Sequence, residues 1–188
     1  GNIQMHQCIG YTDYSFKMFF EAAKNEDWFD NTIFVITADH GNQTDYIEYE
    51  QIINRTATPI LIYKPDNSLA EVKKDLAQQI DVYPTLVDLI GYDQPFRSWG
   101  RSLINDTIIT PFAINYGASG YILQRDNYIC FFDGEKVTGY YDIKDKDLKK
   151  NLINQSNSQM DTLEIVTKAI IKDFFDKVVD KELGKPSN

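Results

Sequence analysis

Asn31-Thr32-Ile33-Phe34-Val35-Ile36-Thr37-Ala38-Asp39-His40-Gly41 is the stretch on which the reading of this chain turns. Thr32 to Ala38 is a nearly continuous apolar run rich in β-branched residues. Such runs suit a central strand of a parallel sheet, buried on both faces. The run stops abruptly on an acid, an imidazole and a glycine. In open α/β sheets, ligands bind beyond the carboxyl ends of the strands, so Asp39 and His40 fall where chemistry is placed. One carboxylate oxygen and one ring nitrogen can reach a single cation. Mixed O/N ligation suits Zn²⁺ or Mn²⁺ and fits Ca²⁺ less well. Gly41 would let the backbone turn away beneath the site. Taken alone, the pair is a weak signal, and a turn-capping Asp beside a solvated His is the reading to prefer.

Working outward, Tyr11 to Trp28 has helical spacing, with Phe16, Phe19, Phe20 and Ala23 on one face. Downstream, Gln43 to Thr58 is polar, with room for a short helix. Pro59-Ile60-Leu61-Ile62-Tyr63 reads as a second buried strand, and Pro65-Asp66-Asn67-Ser68 as a turn. A short helix is expected over Leu69 to Ala77. A stronger one spans Ile80 to Ile90, with Asp81 near its start and Gly91 past its end.

The second half changes character. Tyr121 to Gln124, Tyr128 to Phe132 and Val137 to Ile143 alternate as strands. Asp126-Asn127 and Asp133-Gly134 supply the turns of an antiparallel meander. Asp145 to Asn157 is a polar connection. A closing amphipathic helix is expected over Asp161 to Leu183, with its stripe at Leu163, Val166, Ile170, Phe174 and Val178. The expected organisation is α/β: a first part over residues 1–110 and an antiparallel subdomain with a final helix over 111–188.

Composition narrows the partners. The 188 residues carry a formal charge of −9, with 43% hydrophobic, 25% charged and 13% aromatic residues. That is a folding composition, not a disordered one. The acidic balance argues against nucleic acid and against anionic membrane surfaces. It permits an anionic substrate, because a bound divalent cation reverses the local field. No apolar run approaches the ~20 residues of a helical membrane span. Cys8 and Cys130 match no metal-ligand spacing; a disulfide and two buried free thiols both fit.

Several stretches, in order, resemble the sulfatases and related phosphotransferases of the alkaline phosphatase superfamily. Tyr11-Thr12-Asp13 resembles the family's Y-x-D helix, and the run ending on Asp39-His40-Gly41 its Asp-His metal pair. Thr58 to Pro65 resembles the P-hydrophobic-P strand, and Gln79-Ile80-Asp81-Val82-Tyr83-Pro84-Thr85-Leu86 the D-[IV]-x-P-T-L helix start. Gly100-Arg101-Ser102-Leu103 looks like the G-x-S-L turn. Asp126-Asn127-Tyr128, Asp133-Gly134-Glu135-Lys136 and Tyr141-Asp142 look like the C-terminal subdomain. The variant looks closest to envelope enzymes of the lipoteichoic acid synthase type.

The resemblance implies a partial alkaline-phosphatase-like sheet with flanking helices, then the meander and closing helix. It implies a divalent metal (Mn, Zn, Mg or Ca) held in part by Asp39 and His40. It also implies a phosphate- or sulfate-ester substrate, glycolipids or glycans among the candidates, at the extracytoplasmic face of the cytoplasmic membrane. In the family a Thr, a Ser or a formylglycine made from Cys is the nucleophile. That residue and a further acidic ligand belong to an upstream strand and loop. Neither Cys8, followed by Ile-Gly-Tyr, nor Cys130, followed by Phe-Phe-Asp, fits the Cys/Ser-x-Pro-x-Arg modification signal. No catalytic residue is therefore assigned within this chain, and without the N-terminal part of the same protein it is expected to be inactive. The alternative is a non-catalytic binding or scaffolding module on the same fold. His6 is left unassigned. Asp81 and Pro84-Thr85 read as structural, Asp81 as a helix N-cap. Asn42-Gln43-Thr44 reads as a turn beside the metal pair.

Overall fold

A computed structural model describes residues 4–41, 46–105, 110–117 and 120–183. By its internal contacts the chain divides into two compact units, one formed by residues 1–37 with 59–73, the other by 38–58 with 74–188. The change of patterning near residue 110 marks the start of the meander and not a boundary between these units.

The first unit contains helix α1 (Gln4–Ala23) and strands β1 (Phe34–Thr37) and β2 (Ile60–Tyr63). Its packing centres on Phe34. The Phe20 ring lies edge-on to Phe34 at 5.1 Å, with Tyr63 at 5.8 Å and Phe29 at 5.5 Å from the same ring. Aromatic pairs in these geometries contribute about 0.5–1.5 kcal/mol each beyond their buried area. Two expectations fail here. β1 pairs with β2 antiparallel, Phe34 opposite Tyr63 and Thr37 opposite Ile60, and its residues are half-buried to exposed, not enclosed on both faces. An apolar β-branched run reports burial and strand propensity; it carries no information on partner direction. The first helix also starts and ends earlier than the spacing implies.

In the second unit, helix α2 is one turn (Ile47–Glu50), and α3 (Val82–Leu89) follows a 3-10 turn at Gln79–Asp81. Gly91, just past α3, takes φ +68, the left-handed conformation that ends helices. No helix forms over Leu69 to Ala77. The Asp66 carboxylate caps the Ser68 amide at 2.9 Å and closes a turn instead; the apolar residues that follow are too few to offset nucleation, and Val72 is 86% exposed.

The meander has four strands, β3 (Phe112–Gly117), β4 (Gly120–Arg125), β5 (Tyr128–Phe132) and β6 (Val137–Asp142), paired in sequence order. Asp126 (φ +52) and Gly134 (φ +108) turn the chain where the sequence places the hairpins. β3 was not anticipated; its outward residues Asn115 and Tyr116 dilute the alternation. Helix α4 (Ser158–Val179) closes the sheet, capped by the Asn157 side chain, which accepts from the Gln159 and Met160 amides. Met160 and Leu163 enter a core with Phe112, Leu123, Cys130, Phe132 and Tyr140, while Val166 and Ile170 pack at its margin. The far end of the predicted stripe departs from this pattern. Val178 is 41% and Phe174 44% exposed, the latter resting on Trp99. Both cysteines are free thiols, Cys8 exposed and Cys130 buried; burial pushes the Cys130 thiol up to about 11. Among the described residues no helix is long and apolar enough to cross a membrane.

Candidate metal-ligand site

Asp39 and His40 lie just past the end of β1, on a segment whose side chains meet water. The Asp39 side chain is 88% exposed and that of His40 70%. The two are not idle. The His40 backbone amide donates to Asp39 Oδ1 at 2.9 Å, which fixes the carboxylate plane. His40 Nδ1 lies 2.6 Å from the Gly41 carbonyl oxygen. A carbonyl can only accept, so Nδ1 carries the proton in this contact, and in the neutral ring Nε2 then presents its lone pair. That is the ring arrangement of a metal-bound histidine, where a hydrogen bond at one nitrogen orients the other.

Nε2 in turn stands 3.5 Å from Asp39 Oδ2. With Nε2 unprotonated, two lone-pair atoms face each other across that gap. Either a proton or a shared cation relieves the repulsion. Donors held about 2.0–2.2 Å from one Zn²⁺ in tetrahedral array are themselves separated by about 3.4 Å. The observed spacing therefore fits one divalent cation between the two side chains. Among the described residues, no group of three or more His, Cys, Asp and Glu gathers around a common point; the pair offers two donors.

Gly41 serves differently from the turn expected of it. A Cβ there would lie 2.6 Å from the Arg55 carbonyl oxygen. The glycine is needed for close approach of two backbones, not for an unusual φ.

Behind the pair sits a buried knot built from the 78–103 region. Asp81 is 1% exposed and Thr85 0%. Asp81 is not the side-chain cap of α3 itself, as the sequence reading had it; it completes a capping box with Gln78 at the 3-10 turn that leads into α3. Its own backbone is already helical (φ −76, ψ −18), which directs the side chain away from the α3 amides. Asp81 Oδ1 instead accepts from the Arg101 amide at 2.8 Å and Oδ2 from the Gln78 amide at 2.9 Å. Burial raises this carboxyl above its ordinary range, against the opposing pull of those two N–H donors and the Arg101 charge. Thr85 Oγ1 donates to the Asp81 carbonyl and accepts from the Leu103 amide. Gly100 lies so close to Ile80 that a Cβ would stand 2.2 Å from the Ile80 carbonyl oxygen.

The knot reaches Asp39 through Gln79. Its Nε2 donates to the Ala38 and Asp39 carbonyls at 2.5 and 3.0 Å. Sequence reasoning missed this residue; an exposed Gln has no periodicity or spacing to mark it. His6 is exposed on α1 in the first unit. Asn42-Gln43-Thr44 lies outside the described residues.

Comparison with known proteins follows the same lines. The Sulfatase family model matches residues 4–92. A protein described as a sulfatase from Formosa agariphila is 25% identical over 147 residues, covering 72% of this chain and 29% of that protein. A 2,3-bisphosphoglycerate-independent phosphoglycerate mutase from Acetivibrio thermocellus is 34% identical over 77 residues, 39% of this chain and 15% of that protein. The chain thus spans less than a third of the length of these curated relatives. Among solved structures, a protein in the alkaline phosphatase superfamily from Vibrio parahaemolyticus superposes with a TM-score of 0.66 at 23% identity. The match covers 87% of this chain and 41% of that one.

Proposed function

Because the chain belongs to the alkaline phosphatase/sulfatase superfamily, we propose that it supplies the Asp-His part of a divalent-metal site in an enzyme that hydrolyses or transfers a phosphate or sulfate ester. The observation that carries this reading is the pairing of Asp39 Oδ2 with His40 Nε2, 3.5 Å apart, with the ring already oriented by the Gly41 carbonyl. Sulfatase-family proteins act on sulfate and phosphate esters, and the superfamily is generally metal-dependent. A divalent cation, when bound, stabilises charge on the ester oxygens and lowers the pKa of a hydroxyl nucleophile. Asp39 contributes one anionic oxygen and half of the charge neutralisation. His40 contributes a neutral nitrogen whose orientation costs little on binding, because Nδ1 is already engaged. The open, water-exposed position of both leaves room for substrate.

The reading takes the nucleophile and the remaining donors from an N-terminal part of the same protein, and expects the 188 residues by themselves to be inactive. Its finer form is transfer of a phosphoglycerol- or phosphoethanolamine-type group to envelope lipids or glycans at the extracytoplasmic face of the membrane. The resemblance of the motif order to lipoteichoic acid synthases supports that form.

The test is turnover by the protein including its N-terminal part. A phosphodiester, a phosphomonoester and a sulfate ester are each assayed with and without Mn²⁺ or Zn²⁺. Metal-dependent turnover of one ester is expected, and Asp39→Ala or His40→Ala should abolish it while the melting temperature holds. Wild-type rates in either variant overturn the ligand assignment. Failure to turn over any ester would instead favour a binding or scaffolding module.

A further inference from the structure

We infer that Gln79 is a positioning residue for the Asp39-His40 pair, acting through the backbone and touching neither ligand side chain. The inference rests on the metal reading above and extends it to a residue outside the Asp-His motif. Its basis is a single amide group holding two consecutive carbonyls. Gln79 Nε2 carries two hydrogens and donates to Ala38 O at 2.5 Å and Asp39 O at 3.0 Å. The first oxygen belongs to the peptide plane before the Asp39 Cα, the second to the plane after it. Fixing both planes fixes φ and ψ of Asp39. With them it fixes the direction of the Asp39 Cα–Cβ bond and the entry of the chain into His40.

The other end of the tether is rigid. Gln79 opens the 3-10 turn at Gln79–Asp81. That turn is held by the buried Asp81 carboxylate through the Gln78 and Arg101 amides. The Gly100 backbone packs against the Ile80 carbonyl, where a larger residue would clash. An exposed two-residue chelate without such a tether would lose backbone freedom on binding a cation. Gln79 meets that cost beforehand. The role requires a donor: a carboxylate of the same shape would point two acceptors at two carbonyls.

The experiment is a Mn²⁺ titration of the protein including its N-terminal part, which supplies the remaining donors, followed by paramagnetic broadening of the His40 ring protons. Wild type is compared with Gln79→Leu, Gln79→Glu and Asp39→Ala, and each variant's melting temperature is recorded. Broadening at His40 is expected in wild type and should disappear in Asp39→Ala. Both Gln79 variants should need about tenfold more Mn²⁺, at the lower end of losses seen when an outer-shell partner of a metal site is removed, with melting unchanged. Gln79→Glu separates positioning from charge. If it binds Mn²⁺ as well as or better than wild type, nearby charge and not the amide tether governs affinity, and the inference falls. An unchanged titration in Gln79→Leu, with Asp39→Ala still abolishing broadening, overturns the inference alone. Absence of broadening in wild type overturns the metal reading and this inference with it.

Discussion

Asp39 and Asp81 sit in family motifs about forty residues apart, and their surroundings could hardly differ more. Asp39 is 88% exposed, and one of its oxygens looks across 3.5 Å at an imidazole nitrogen. Asp81 is 1% exposed, with its oxygens taken by the Arg101 and Gln78 amides. A carboxylate with a free oxygen beside a soft nitrogen is arranged to bind something that arrives from solvent. One whose oxygens are spent on backbone amides is arranged to hold the chain. The motif marks both positions; only burial and hydrogen-bond partners separate chemistry from scaffold. Gln79 joins the two regions, which makes the comparison testable from either side.

The largest effect on stability should follow Asp81→Ala. It leaves the Arg101 and Gln78 amides buried without acceptors, at about 1–3 kcal/mol each. Removal of a desolvated charge offsets part of this, so the expected loss is about 3 kcal/mol in urea unfolding. Asp39→Ala, by contrast, should stay within about 0.5 kcal/mol of wild type, as surface substitutions do. Equal losses in the two variants would erase the distinction. Gly100→Ala comes next. Its Cβ would meet the Ile80 carbonyl oxygen at 2.2 Å and the Asp81 nitrogen at 2.8 Å. Backbone must yield, at about 1–3 kcal/mol as for overpacking generally. A stability equal to wild type would show that the turn is looser than its contacts imply.

The order of elements was legible because it depends on local signals. The apolar run before Asp39, the turn residues Asp126 and Gly134, and Gly91 beyond α3 each act within a few residues, and each lies where the sequence places it. What the sequence withheld depends on partners far along the chain. The antiparallel pairing of β1 with β2 is one case, because hydrophobicity does not encode strand direction. The tie from Asp81 to Arg101 is another: the sequence shows an acid at a helix start, where the Gln78 amide is local, but the second partner is twenty residues away. At the candidate site, Asp39 and His40 could be named from their position after a strand. Gln79 could not, since its role lies entirely in which carbonyls its amide reaches.

The smallest effect, and the most direct on the buried acid, is the pH dependence of stability. Two influences oppose each other at Asp81. Burial favours the neutral carboxyl; the two N–H donors and the Arg101 charge favour the carboxylate. Burial prevails, and the folded-state pKa lies above the ordinary value. Such a group binds its proton in the folded protein before it does in the unfolded chain. Its contribution to stability is full below the ordinary carboxyl range and is lost as pH rises through the raised folded value. Asp81→Asn removes this titration while keeping one acceptor and the shape. Measured from pH 7 downward, the stability of wild type relative to Asp81→Asn should therefore rise as the solution becomes more acidic, beginning above the pKa of an ordinary Asp. Protonation of the other carboxyls is common to both proteins and cancels in the difference. A gap that narrows with acidification would mean that the Arg101 and Gln78 amides hold the carboxylate ionised more strongly than burial resists it. In that case the knot behind the Asp39-His40 pair would be an anion held by its hydrogen bonds, and its loss in acid should loosen Gln79 and the Asp39 backbone with it.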